Sequence, residues 1–343
     1  WWVEQGEFKV DQLVVVGLGH IGASIALALR EAKLKDTEIV GTDNDRDRLT
    51  AASKLNVVDV TTKNIRSAVE NSRLVIVTEP VGALRETFRA ISPNISDGTV
   101  VTETSSPKLK SLEWAEELLG VDVDFVAGRP LIKKMPDVDA GPNPSMFKDA
   151  EYCLIPSKST SSSALSLVTS MVEAIGSNPI FLDAQEYDSY SSAMTHLPIV
   201  LSAAFTTAMA SSDGWREMHK VGSTEFAALS QLASEDPVDS EETIRSNPEL
   251  VVHWIDRLIA ELYSYRENIT EDSTDLLDSL ILAWESRARW DAGTVAENDD
   301  SAMPSSSMSL ASTLLGERLA SRYRKLTSNE EKDAKPWTYK KKR

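Results

Sequence analysis

The sequence predicts an α/β fold, a doubly wound parallel sheet followed by an all-helical domain, on three observations. Short apolar, β-branched runs recur through the first half between polar, helix-compatible stretches. A glycine cluster follows the first of these runs directly. Beyond about residue 183 the pattern lengthens into amphipathic helices. Residues 11–182 therefore read as one domain, 183–292 as a second, and 293–343 as an extension.

The first strand is Leu13-Val14-Val15-Val16, stopping at Gly17, and from Ile21 to Leu29 apolar residues return at helical spacing. The alternation repeats at Glu38-Ile39-Val40-Gly41, Arg73 to Val77 and Thr99-Val100-Val101, with further strands expected at Val123 to Val126 and Tyr152 to Ile155. Continuous apolar strands of this kind suit a parallel sheet covered on both faces. From Pro248, residues Leu250, Val251, Trp254, Ile255, Leu258, Ile259, Leu262 and Tyr265 trace one helical face, with Asn247 placed to cap it. A second helix carries Leu276, Leu277, Leu280, Ile281 and Trp284. Such wide stripes must be buried somewhere, and a homodimer is the economical solution. The final 50 residues carry +3, with six serines between Ser301 and Ser312, a possible helix from Leu310 to Leu326, and a Lys340-Lys341-Lys342-Arg343 tip. They read as a linker and a solvated basic extension.

Thirty-six basic and 53 acidic residues leave a net charge of −17, a field that repels nucleic acid and anionic lipid. No uninterrupted apolar run reaches the length of a membrane span. One cysteine, Cys153, excludes an internal disulfide and fits a reducing cytoplasm; set in an apolar strand, it reads as buried and inert. Four histidines without ligand spacing offer no metal site.

Gly17-Leu18-Gly19-His20-Ile21-Gly22 matches G-x-G-x-x-G where that motif must sit, after a strand and opening a helix. The first glycine permits a tight turn, the second lets backbone approach a diphosphate, and the third lets helix and strand pack closely. Free N–H groups at the helix start then bind the anion, so a dinucleotide is expected on a Rossmann domain. Asp43 closes the second strand at the position of an acid that hydrogen-bonds a ribose 2′-hydroxyl, which argues for NAD. Arg46 and Arg48 stand close enough to leave NADP open, and Asp43 also fits a plain turn role.

Four blocks then occur in a familiar order: the glycine loop through Ser24, Thr102-Glu103-Thr104-Ser105-Ser106-Pro107-Lys108, Gly128-Arg129-Pro130-Leu131, and Asp188 with Ser192-Ala193-Met194-Thr195-His196-Leu197-Pro198. Together they resemble the prephenate and arogenate dehydrogenases of tyrosine biosynthesis, over about residues 11 to 290. The resemblance implies a Rossmann domain joined to a helical dimerisation domain. It also implies hydride transfer to NAD(P) with loss of a carboxylate. Ser106 matches a serine that reaches the catalytic histidine and the substrate hydroxyl, His196 a pocket histidine, and Thr78 and Pro80 the segment beside the nicotinamide.

The chain departs from that pattern where the chemistry is concentrated. The family's catalytic histidine precedes Pro-Met, whereas Arg129 precedes Pro130-Leu131, and a guanidinium cannot accept a proton at neutral pH. Ile132-Lys133-Lys134-Met135 follows, so Lys133 and Lys134 become candidate substrate contacts. Two arginines that would bind substrate carboxylate stand as Ala227 and Gln231, leaving Gln231 as the candidate contact there. Three readings follow. One is a working dehydrogenase in which His196, or a water, serves as base and Arg129, Lys133 or Lys134 holds the anion. The second is a diverged oxidoreductase of another hydroxy or amino acid, clamped by Arg129. The third is a non-catalytic dinucleotide-binding protein. The retained glycine loop, Asp43, Ser106 and His196 favour an active redox site.

Overall fold

The computed structural model describes residues 12–34, 36–133, 141–271 and 275–292. The expectations for Lys134 and for the linker, helix and basic tip of 293–343 lie outside these. The chain divides into two compact units, Trp1–Ile255 and Asp256–Arg343.

The first unit is built on one sheet. In chain order its elements are β1 (Gln12–Val16), α1 (His20–Glu31), β2 (Glu38–Thr42), α2 (Arg46–Lys54), β3 (Val60–Thr62), α3 (Ile65–Val69), β4 (Leu74–Val77), α4 (Val81–Ile91), β5 (Val100–Glu103), α5 (Lys108–Leu118), β6 (Asp124–Leu131), β7 (Glu151–Pro156), α6 (Ser162–Ala174) and β8 (Asn178–Phe181). The strand order is β3-β2-β1-β4-β5-β6-β7-β8. Its first six strands have the doubly wound order, whose ligand crevice lies at the strands' carboxyl ends, where β1 and β4 diverge.

Because side chains alternate across a strand, neighbours in β1 face opposite cores. Leu13 and Val15 join Ile25 and Leu29 of α1 and Val168 of α6, while Val14 and Val16 join Leu84 and Phe88 of α4. Both faces are covered, which is why the strands read as unbroken apolar runs.

Two features correct the sequence reading. The sheet is not wholly parallel, since β6 and β7 run antiparallel, with Arg129 opposite Cys153. The sixth strand also continues through Gly128-Arg129-Pro130, residues that normally end strands. Its parallel partner β5 stops opposite Ala127, so Pro130 falls where the strand is paired on one side only and its missing N–H removes no ladder bond to β5. Cys153 is fully buried, and burial pushes its thiol up to about 11.

The helical part of the first unit begins with α7 (Ala184–Ser191), a wide π turn (Ser192–His196) and α8 (Leu197–Ala210), then short helices α9 (Trp215–Met218) and α10 (Thr224–Ser230), a 3₁₀ turn Gln231–Ser234, and α11 (Pro237–Arg245). Pro198 cannot donate to the carbonyl four residues back, which accounts for the loosened turn before it. Contrary to expectation, the continuous helix Ala184–Ala210 is long and apolar enough to pass for a membrane span. Its polar residues Asp188, Ser192, His196 and Ser202 are nevertheless at most 2% exposed, which places that side of it against protein.

The last long helices are α12 (Pro248–Thr270) and α13 (Asp275–Asp291). Within the second unit the Tyr265 hydroxyl donates to the Ser279 carbonyl at 3.5 Å, and Ile281 is buried. Leu262 and Leu280 stay more than half exposed, so the apolar stripe is only partly covered within one chain.

Candidate active site

The glycine loop is built as a close contact of backbones. Gly17 has φ +90°, and a side chain on Gly22 would lie 2.0 Å from the Gly17 carbonyl oxygen. Thr78, just past β4, locks the turn: its Oγ1 donates to the carbonyls of Gly17 (2.7 Å) and Val16 (3.1 Å). A Cβ on Gly19 would meet nothing within 4 Å, so the loop opens to solvent there. No side chain caps α1 at Gly19, and its first turn holds no acid. The N–H groups of His20 and Ile21 thus start a helix whose positive end is available to an anion. His20 Nε2 is buried without a partner among the described residues.

Asp43 stands at the carboxyl end of β2, 5% exposed. It accepts from Leu18 N and Asp45 N, both at 2.7 Å, and Arg48 lies 3.6 Å from it. The acid therefore braces the loop from behind, and each oxygen keeps a further lone pair. Arg48 borders two spaces. One is a cleft of about 570 Å³ running from Gly17, Gly19 and Pro80 to Ser106 and Arg129; the other is a cavity of about 310 Å³ against Leu18, Ala51, Leu55 and Val57.

Ser106 and His196, 90 residues apart, meet beside the larger cleft. The Ser106 hydroxyl lies 3.3 Å from His196 Nε2, a long hydrogen bond. His196 is fully buried, and its Nδ1 has no partner among the described residues. Burial, and after it the charge of Arg129, pushes the imidazole down to about 4, so it is neutral at physiological pH. Arg129 lines the cleft, half-buried, 3.4 Å from the Thr104 carbonyl. Tyr187 is buried alongside; burial pushes its hydroxyl up, opposed by Arg129 and by a hydrogen bond with Ser106.

Beneath this surface lies a charge network that the sequence reading missed. Glu103 and Lys108 are both fully buried and paired at 2.6 Å. Lys108 Nζ also donates to the Gly128 carbonyl at 2.6 Å, and Glu103 accepts from the Ser105 N–H, the Ser105 hydroxyl and the Ser111 hydroxyl. The pair thus joins the loop holding Ser106 to the strand holding Arg129. Asp188 of α7 caps α5 from outside, accepting from Lys108 N (2.7 Å) and Leu109 N (3.0 Å) where Pro107 supplies no cap. Both features lie inside motif blocks whose residues were legible, but nothing local in the sequence says that their charges are buried.

The structure thus gathers Gly17, Gly19, His20, Ile21, Thr78, Pro80, Ser106 and Arg129 on one cleft wall, with His196 behind Ser106. Leu18, Gly22 and Asp43 support it from within. Lys133 and Gln231 are exposed and do not line it. Three carboxylates not singled out in the sequence do line it: Glu79, Glu235 and Asp239.

Comparison with known proteins matches the chain in two parts. A family described as prephenate dehydrogenase, nucleotide-binding domain, matches residues 25–180, and its companion, the dimerization domain, matches residues 183–282. A prephenate dehydrogenase of Bacillus subtilis is 23% identical over 269 residues, 78% of this chain and 72% of that protein. A cyclohexadienyl dehydrogenase of Zymomonas mobilis is 24% identical, over 77% of this chain and 90% of that protein. Among solved structures, prephenate dehydrogenase from A. aeolicus in complex with hydroxyphenyl propionate and NAD+ superposes with a TM-score of 0.73 at 24% identity, covering 81% of this chain and 98% of the other. At that identity the superposition establishes the fold.

Proposed function

The chain belongs to the prephenate dehydrogenase family, and from that premise we propose that it oxidises a cyclohexadienyl acid with NAD(P)+, the decarboxylating dehydrogenation of tyrosine biosynthesis. The observation that carries this reading is the meeting of Ser106, His196 and Arg129 beside the glycine loop's open end.

The residues present fit a dinucleotide. The backbone of Gly17, Leu18, Gly19, His20, Ile21 and Gly22 would receive the diphosphate at an uncapped helix start, and Asp43 the ribose hydroxyls. The apolar cavity beside Ala51 and Leu55 suits the adenine, and Thr78 and Pro80 flank the nicotinamide end. NAD is the expected cofactor, while Arg48 at 3.6 Å from Asp43 gives a 2′-phosphate a counter-charge and keeps NADP within reach. When bound, the nicotinamide accepts hydride from the hydroxyl-bearing ring carbon, and loss of CO₂ leaves the ring aromatic.

The chain's own groups handle the proton and the anion. Ser106 Oγ hydrogen-bonds the substrate hydroxyl, and neutral His196 Nε2 behind it accepts the proton that hydroxyl releases. Arg129 binds a substrate carboxylate, a task its fixed charge and forked donors suit and a general-base role does not. The exposed apolar residues of α12 and α13, with the dimerization-domain match, support a homodimer, and a cytoplasmic setting accords with this biosynthetic role.

The test is turnover of prephenate and arogenate with NAD+ and NADP+, read as formation of reduced nicotinamide. Saturable turnover of one or both is expected; no turnover of either, with NADH still binding, overturns the reading. Gly22→Ala is expected to weaken NADH binding at least about tenfold, because its methyl group forces the Gly17 carbonyl and Thr78 out of place. Fluorescence titration with NADH checks this; an unchanged affinity would place the nucleotide elsewhere.

A further inference from the structure

We propose that Ser24 is a positioning residue for the dinucleotide: its buried hydroxyl pins residues 141–143, part of the β6–β7 connection, across the start of α1 as a wall of the nucleotide cavity. The inference rests on the dinucleotide reading of the glycine loop and adds to it a segment from far along the chain.

Ser24 is out of place as a helix residue. It lies in the middle of α1, fully buried, on a helix that otherwise buries Gly22, Ala23, Ile25, Ala26, Ala28 and Leu29. Alanine is the better helix former there, and a buried hydroxyl needs partners. Ser24 has two. It donates to the His20 carbonyl at 2.6 Å, a bond within its own helix that any buried serine could make. It also accepts from the Asn143 N–H at 2.9 Å, from a residue 119 positions away. That second bond is particular to this site, and it ties the connection to the helix that starts at the glycine loop.

Beyond Asn143 the connection is held by the core. The Asn143 side chain accepts from the Ser145 N–H at 3.0 Å and opens the 3₁₀ turn Pro144–Phe147, and Met146 and Phe147 are buried in the same core as Ile25 and Leu29 of α1. The Phe147 carbonyl accepts from the Ser177 hydroxyl at 2.9 Å. Gly141 and Pro142, on the other side of Asn143, are half-buried and line the cavity of about 310 Å³, with Gly19 and His20 of the glycine loop and Arg48 and Leu55 of α2. The Ser24 bond therefore lies where the connection passes from core to cavity wall. His20 adds an independent sign of a ligand: it borders the same cavity, and its Nε2 is buried without a partner among the described residues. A nucleotide seated there meets a wall whose placement depends on one hydroxyl.

Ser24→Ala tests this with the helix and its packing kept. NADH and ADP-ribose, which share the adenosine diphosphate half, should each bind about 5- to 30-fold more weakly, the scale of one buried hydrogen bond whose donor is left unpaired. The KM for NAD+ should rise by a similar factor, while kcat at saturating NAD+ falls far less. A residue that only stabilised the fold would shift the urea midpoint without separating KM from kcat. Amide hydrogen exchange supplies a second readout that needs no variant. NADH and ADP-ribose should each slow exchange in a peptide spanning residues 141–147 of the wild type, and Ser24→Ala should weaken that protection. Unchanged ADP-ribose affinity in Ser24→Ala overturns the proposal, as does wild-type exchange in that peptide that ignores the nucleotide. Wild-type protein that binds neither NADH nor ADP-ribose overturns the dinucleotide reading and the proposal with it.

Discussion

His196→Gln is expected to lower turnover by about 10² to 10⁴-fold, the usual cost of losing a positioned base, while NADH binding stays in place. A guanidinium cannot take a proton, so on the proposed reading Arg129 is no base and the burden falls on the imidazole 3.3 Å from Ser106. The pH profile separates this role from simple packing. Because burial and then Arg129 hold His196 at about 4, kcat/KM should show no loss through pH 6.5 and an acid limb only near 4. Arg129→Met removes the second cause, so that limb should move upward. Retained turnover in His196→Gln, or a wild-type limb at an ordinary histidine pKa, would assign the proton elsewhere.

The same shift predicts a stability change of definite sign. The unfolded chain takes up a proton at His196 below its ordinary value of 6.5, whereas the folded protein resists doing so down to about 4. Folding stability attributable to this group is therefore intact above pH 6.5 and declines as pH falls from there toward 4, by about 3 kcal/mol in all. His196→Gln should flatten that part of the stability curve in urea titrations.

Lys108→Met is expected to destabilise the protein by about 3–5 kcal/mol, because it leaves the Glu103 carboxylate in the interior without its counter-ion. Lys108 and Glu103 are both fully buried, and the ammonium also holds the Gly128 carbonyl. Burial lowers the lysine's pKa, and Glu103 opposes that by attraction and hydrogen bonding. Glu103→Leu combined with Lys108→Met should recover much of the loss, since no unpaired charge remains. The double variant should nevertheless stay impaired in kcat/KM, because Glu103 also holds the Ser105 N–H and hydroxyl beside Ser106. An unchanged urea midpoint in the single variant would show that water or another group compensates Glu103.

Elements legible in the sequence are those whose cause is local. The β1 strand, the glycine loop and α1 follow one another within twenty residues, and each is specified by its own residue types: β-branched apolar, glycine, then apolar at helical spacing. The strands β3 and β8 escaped because Val60-Thr61-Thr62 and Asn178-Pro179-Ile180-Phe181 are short, partly exposed edge segments with little apolar signal. The end of β6 escaped because glycine and proline argue against a strand until the partner on only one side is known.

What the amino-acid sequence alone determined is the doubly wound domain, the glycine loop followed by Asp43, and the long helices beyond; Ser106 and His196 were separate candidates that the family resemblance supplied, and their meeting came with the tertiary structure. Only the tertiary structure decided which charges share a space: Arg129 with Glu235, Glu103 with Lys108 beneath them, and Lys133 and Gln231 away from the cleft wall. The reason is physical. Backbone preference and amphipathic period act over a few neighbouring residues, whereas desolvation and Coulomb energy depend on burial and on distance through space, between groups that the chain brings together from far apart.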